Sequence, residues 1–104
     1  MALDVQRVVD ARYAGQGYEL RVDGSLAGFA EYRGHTDTRT FTHTEIDERR
    51  EGEGLGSVLV RGVLDHLRAG GKTVIPTCGF TAAYIRRHPE YVDLVAPSLR
   101  RQFG

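Results

Sequence analysis

Three glycines, Gly52, Gly54 and Gly56, stand one residue apart in "EGEGLGSV", directly ahead of a long apolar-periodic segment. Glycine lets a backbone approach a ligand that any Cβ would hold off. If a helix starts here, its unpaired N–H groups and the positive end of its dipole attract phosphate. The chemistry on offer is a diphosphate cradle. The same residues equally describe a mobile strand-to-helix connection with no ligand, since short glycine turns are common. Two familiar phosphate loops do not fit. A P-loop needs Lys and then Ser or Thr after its last glycine, and Gly56 is followed by Ser57-Val58. The dinucleotide fingerprint sets its third glycine three residues after the second, where this chain has Ser57.

Cys78 is the second chemical candidate, and the sequence holds no other cysteine. It follows a short apolar segment ended by Pro76 and opens the next helical pattern. A helix N-terminus lowers a thiol pKa and favours the nucleophilic thiolate. An inert, buried cysteine is the alternative. The histidines at 35, 43, 66 and 88 show no pair at metal-ligand spacing, so no metal site is expected. His43 with Glu45 can accept a proton from an amine, or serve only in packing.

The elements that must position these groups follow from periodicity. Tyr18, Leu20 and Val22 alternate with Glu19 and Arg21, a strand pattern. Asp23-Gly24 then suits a two-residue hairpin turn, with a returning strand over about Ser25 to Arg33. A shorter strand is expected around Val5 to Asp10. In "TDTRTFTHTEI", Thr36, Thr38, Thr40, Thr42, Thr44 and Ile46 fall at period two, predicting a strand with all six on one face. Leu55, Val58, Leu59, Gly62, Val63 and Leu67 recur at spacings of three and four, the stripe of an amphipathic helix. Val60 and Leu64 widen it, and Arg61 and Asp65 can pair one turn apart. Ala69-Gly70-Gly71 ends that helix. "KTVIP" reads as a short buried strand and Thr77 to His88 as a second helix, closed by Pro89. The tail "APSLRRQFG" can form a short helical turn.

The order is four antiparallel strands, then helix, strand, helix. Thr38 to Pro76 forms a β-α-β unit, whose crossover makes a parallel, right-handed pair. A mixed, mostly antiparallel sheet with helices packed on it is an α+β fold. C-terminal ends of parallel strands share one edge, where ligands tend to bind, so the glycine segment and Cys78 should face one crevice.

At 104 residues the chain suits a single domain, 1–104, with a modest core. Fourteen basic and fourteen acidic residues balance to a formal charge of zero, which argues against nucleic acid as a partner. No apolar run approaches a membrane span, and "MALDVQRVVDARY" has no signal-peptide core. One cysteine forbids an internal disulfide and points to a reducing, cytoplasmic setting.

With these elements in place, "FTHTE", "EGEGLGSVLV", "VIPTC" and "YIRRHPEY" occur in an order and spacing that resemble the GNAT acetyltransferase superfamily. The likeness runs from about Gly17 to Tyr91 and is nearer to the very small GNAT-like N-acetyltransferase domain proteins. It implies a compact GNAT-like fold with a β-α-β acyl-CoA motif, acetyl-CoA (or CoA) as cosubstrate, and transfer of an acetyl group to an amine acceptor. The superfamily signature begins with Gln or Arg and continues with glycines matching Gly54 and Gly56. Here Glu51 holds the leading position, so the backbone from Gly52 through Glu53, Leu55 and Ser57 must carry the diphosphate. Arg49 and Arg50 stand just upstream to supply a cation.

By the same resemblance, Thr44, Glu45, Ile46 and Asp47 form the strand end along which the pantetheine arm lies. Tyr84 matches a tyrosine that protonates the departing CoA thiolate, and Cys78 a cysteine associated with the compact family. Arg50, Arg86 and Arg87 are within a reading as CoA phosphate ligands. The two helices that shape the acceptor pocket in larger members are absent, so the acceptor site is open or borrowed from a partner. Two routes stay open, acetylation of Cys78 followed by transfer, or direct attack by the amine with Tyr84 as acid. A CoA-binding sensor or interaction module without transferase activity is the alternative function. The sequence names neither the acceptor nor the oligomeric state.

Overall fold

The computed structural model describes residues 2–8, 16–34 and 37–103. His35, Thr36 and the expected end of the first strand at Asp10 lie outside them. Asp23 and Gly24 both adopt positive φ, 51° and 85°, the geometry that a two-residue hairpin needs. They join β2 (Gly17–Val22) to β3 (Ser25–Arg33). β1 (Leu3–Val8) flanks β2 antiparallel, and β4 (Thr38–Ile46) flanks β3 antiparallel. β5 (Thr73–Pro76) lies parallel to β4, with Thr73 opposite Thr38 and Pro76 opposite Phe41. The sheet order β1-β2-β3-β4-β5 is the expected mixed, mostly antiparallel arrangement.

The threonine face needs a correction. Tyr32 pairs with Phe41 and Glu31 with His43, so Thr42 has no partner opposite it. Such a bulge moves every later side chain to the other face of its strand. Phe41 is buried toward the core, and Thr44 opposite buried Ala30 shares that face three residues later. Thr38 and Thr40 therefore point away from the face that carries Thr44 and Ile46. Period-two spacing hid the slip because both sides of the bulge are threonine-rich.

α1 (Leu55–Ala69) buries Leu55, Leu59, Val60, Val63, Leu64 and Leu67 against the sheet. Burying one such side chain is worth about 2 kcal/mol, which outweighs the roughly 1 kcal/mol cost of an interior glycine. Gly62 is there for space, since a Cβ would come within 2.8 Å of Val5 on β1. The core beneath α1 is partly aromatic, with Tyr18, Tyr32 and Phe41 in mutual ring contact. The Arg61–Asp65 pair does not form. Asp65 instead accepts a 2.7 Å hydrogen bond from Tyr91 Oη, which fixes the segment after α2 onto α1.

α2 (Gly79–Arg87) starts later than expected. Thr77 Oγ1 and the Cys78 N–H both donate to the Phe41 carbonyl, each at 2.9 Å, and so hold these residues against β4 in extended form. Short 3₁₀ turns occupy Glu48–Arg50, Pro89–Leu94 and Pro97–Gln102. Only the last matches an expected helical turn.

Candidate functional site

β5 stops opposite Phe41 while β4 runs on to Ile46, so the outer edge of β4 from Thr42 onward has no strand beside it. α1 begins across that gap. Its N-cap is Gly54 at φ 75°, with no side-chain cap. Val58 N–H is the first to reach a helical carbonyl, that of Gly54 at 3.4 Å. The preceding amides of the first turn are left for another acceptor. Between strand edge and helix start lies a cavity of about 440 Å³. Thr44 and Ile46 form one wall, and Gly52, Gly54, Leu55, Gly56 and Ser57 the other. Arg50, Glu51 and Phe80 complete it.

The glycines have two distinct reasons to be glycine. Gly52 and Gly54 have φ of 87° and 75°, and a Cβ on either would meet nothing within 4 Å. They are required by backbone conformation. Gly56 is helical, but its Cβ would lie 2.4 Å from Phe80 Cζ. It is required by the ring.

The two upstream arginines divide. Arg49 is held by Asp47, through Nε at 3.2 Å, Nη2 at 2.9 Å and its backbone N–H at 3.0 Å. Those hydrogen bonds hold the Asp47 carboxyl below the usual carboxylate range. Arg50 lines the cavity, with only a 3.7 Å contact to Glu53. Arg50 is thus the cation at the site, and Glu51 on the same wall opposes it.

Cys78 is the half-buried N-cap of α2, and its Sγ lies 3.5 Å from Thr44 Oγ1. Burial pushes the thiol up. Hydrogen bonds from the Thr81 backbone, the Thr44 hydroxyl, the Phe80 backbone and the Thr81 hydroxyl together outweigh it, leaving the pKa below that of an ordinary thiol. Cys78 does not itself line the cavity and reaches it through Thr44.

The other predicted site residues are not brought together there. Tyr84 is buried, stacks on His88 at 4.2 Å between centroids, and packs near Tyr91. Burial raises its pKa, and it is off the cavity wall. Arg87 sits in the last turn of α2, about 12 Å along the axis from its start, and Arg86 lies over the Phe103 ring. Glu45 projects with His43, 3.5 Å away, from the face opposite Thr44. Glu45 and Asp47 line a separate cavity of about 420 Å³, and Glu53 a third of about 370 Å³. Phe80 was missed by sequence reasoning. Its one signal is its place between Cys78 and the buried stripe of Thr81, Ala82, Tyr84 and Ile85, out of register with that stripe.

Among the described residues no cluster of three or more His, Cys, Asp or Glu side chains could hold a metal. Among the described residues no helix is long and apolar enough to cross a membrane.

The model of the GCN5-related N-acetyl-transferase family matches residues 17–94, from the start of β2 to the end of the Pro89–Leu94 turn. The chain belongs to this family. The GCN5-related fold is also the one its structural neighbours share. A GCN5-like putative N-acetyltransferase from Staphylococcus aureus superposes with a TM-score of 0.60 at 20% identity, covering 77% of this chain and 80% of that one. An IAA acetyltransferase from Bacillus cereus ATCC 14579 gives 0.58 at 17% identity, covering 83% and 75%. A GNAT family acetyltransferase from Brucella melitensis in complex with acetyl-CoA gives 0.52 at 22% identity, covering 74% of this chain and 53% of its own. Among curated proteins, none matches in sequence.

Proposed function

We propose that this single domain is an acetyl-CoA-dependent N-acyltransferase acting on an amine, in a reducing cytoplasm that keeps its one thiol free. The observation that carries the reading is the unpaired edge of β4 meeting the uncapped start of α1 across one cavity. The α1 amides and Arg50 suit the diphosphate, the edge of β4 at Thr44 to Ile46 suits the amides of the pantetheine arm, and the thioester then points toward Thr44 and Cys78. The complex of the Brucella melitensis protein with acetyl-CoA supports the ligand class.

The lowered Cys78 pKa favours the covalent route. The thiolate attacks the thioester carbonyl, the bond from carbonyl carbon to CoA sulfur breaks, and the CoA thiolate leaves and takes up a proton. The amine then attacks acetyl-Cys78, loses a proton, and restores the thiolate. Burial raises the Tyr84 pKa, as suits an acid, but its ring is packed on His88 and Tyr91, whereas Cys78 Sγ lies 3.5 Å from Thr44 Oγ1 on the cavity wall, and that favours Cys78 as the working group. Glu51 on the cavity wall favours a second reading, a CoA-binding module without turnover. A thermal-shift titration with CoA tests binding, and intact-mass measurement after incubation with acetyl-CoA tests the route. An acetyl adduct lost in Cys78→Ala supports covalent transfer. Binding with neither adduct nor acetylation of an amine panel leaves the module, and the absence of any CoA shift sinks both readings.

A further inference from the structure

A smaller cavity of about 100 Å³ lies at the other end of α1 from the glycine turn. Three cations from distant parts of the chain line it: Arg7 on β1, Arg39 on β4 and Lys72 just ahead of β5. Arg7 stands opposite Tyr18 in the β1–β2 ladder, so the two side chains leave the sheet on one face. Buried Tyr18 and Leu67 form the floor. Burial raises the Tyr18 pKa, and the charges of Arg7 and Arg39 pull against it, as they do only when close to the hydroxyl. Tyr18 Oη meets His66 Nδ1 at 2.5 Å, which leaves Nε2 as the ring nitrogen for a ligand.

Negative charge at this end of the molecule is small by comparison. Among the described residues no carboxylate lines the cavity. Asp37 meets Lys72 Nζ at 3.1 Å, but from a side chain 85% exposed, and such surface pairs hold weakly. The last turn of α1 adds about half a negative charge. Its His66 and Leu67 carbonyls are already taken by the N–H groups of Gly70 and Lys72, at 3.1 and 2.9 Å. Three cations exceed both.

We propose that this cavity is a second anion site, taking one phosphate-type dianion as the free ion or as the end of a phosphate monoester. The volume is that of roughly three waters of the liquid, room for a tetrahedral oxyanion, whereas pockets for larger organic ligands start at about 300 Å³. Guanidinium groups suit an oxyanion because they donate in pairs, and a dianion can draw on more than one of them. The site is separate from the proposed CoA cavity. His66 is about 15 Å along α1 from Gly56, and Arg39 and Lys72 stand where β4 and β5 begin rather than end.

The full chain is titrated with inorganic phosphate, followed by ¹⁵N–¹H spectra at constant ionic strength with chloride as the balancing ion. The expected result is saturable shifts at the Arg39, Gly70 and Lys72 amides that chloride does not produce. Arg7→Gln and Arg39→Gln should each raise the phosphate Kd about tenfold. Arg101→Gln, an exposed arginine in the 97–102 turn, should change it by less than about twofold. Circular dichroism confirms that each variant folds, and Lys72→Gln replaces an arginine variant that does not. Ethyl phosphate binding tighter than phosphate at the same amides assigns an ester as the ligand, and weaker binding assigns the free ion. Shifts confined to Gly52–Ser57, shifts reproduced by chloride, or equal losses in Arg39→Gln and Arg101→Gln overturn the inference and leave the CoA reading untouched.

Discussion

Cys78 and Glu51 show how much one side chain can do at this site. The hydrogen bonds around Cys78 hold its thiol below the ordinary value, so its thiolate appears at lower pH than that of a free cysteine. Alkylation by iodoacetamide, followed by mass spectrometry across a pH series, should show a midpoint below that of a model thiol. Thr44→Val should move it up. A wild-type midpoint at or above the ordinary value would refute the assignment. The sign for stability is that of a depressed acid. The contribution is present above the unfolded thiol pKa and lost as pH falls through the folded one. Glu51 acts the other way, placing a negative charge beside the proposed diphosphate. Glu51→Gln should tighten CoA binding by about half a kcal/mol, the scale of one like-charge contact in high dielectric, and calorimetry reads it directly. Both residues were legible in the sequence because glycine spacing and a solitary cysteine are local signals. Phe80 was not. Its exposure has meaning only once Gly56, far back in the chain, lies beneath it.

At the level of elements, the turn into α1 and the bulge in β4 decide whether a cavity exists. Gly54 caps α1 in the left-handed region with open space around its Cα, so an added methyl meets only backbone strain. Gly54→Ala should therefore cost about 1–2 kcal/mol in urea unfolding. Gly56→Ala is a different experiment, because the new methyl must displace the Phe80 ring while the backbone stays helical. Loss of CoA affinity should then exceed loss of stability. The hairpin at Asp23-Gly24 and the stripe of α1 were readable because each is written in neighbouring residues. The bulge at Thr42 was not, since it depends on how Tyr32 and Glu31 engage β4. The late start of α2 likewise depends on a carbonyl contributed by Phe41.

At the scale of the whole molecule, sheet and helices share one core, and its buried tyrosines report on its integrity. Burial pushes the Tyr18 hydroxyl up to about 12, and burial with the Asp65 hydrogen bond pushes Tyr91 up to about 12 as well. A tyrosine that ionises later when folded favours the unfolded chain as pH climbs. The fold should keep its stability below about pH 10, the ordinary tyrosine pKa, and lose it from there toward about pH 12. The phenolate absorbance of Tyr18 and Tyr91 should rise late and together with loss of the circular-dichroism signal. An early rise for Tyr18 and Tyr91, read as the part lost in their Phe variants, with the fold intact would refute the burial argument. Tyr18 and Tyr32 then separate two effects. Tyr18 Oη meets His66 Nδ1 at 2.5 Å, whereas Tyr32 Oη is buried with no hydrogen-bond partner among the described residues. Tyr18→Phe should cost about 1 kcal/mol at neutral pH, yet lessen the alkaline loss, because one of the two late-ionising groups is gone. Tyr32→Phe removes only an unsatisfied hydroxyl and should leave neutral stability equal to or about 1 kcal/mol above wild type. Urea midpoints at about pH 7 and pH 11 check both, and a Tyr32→Phe protein weaker than Tyr18→Phe would mean that the Tyr32 hydroxyl is satisfied after all.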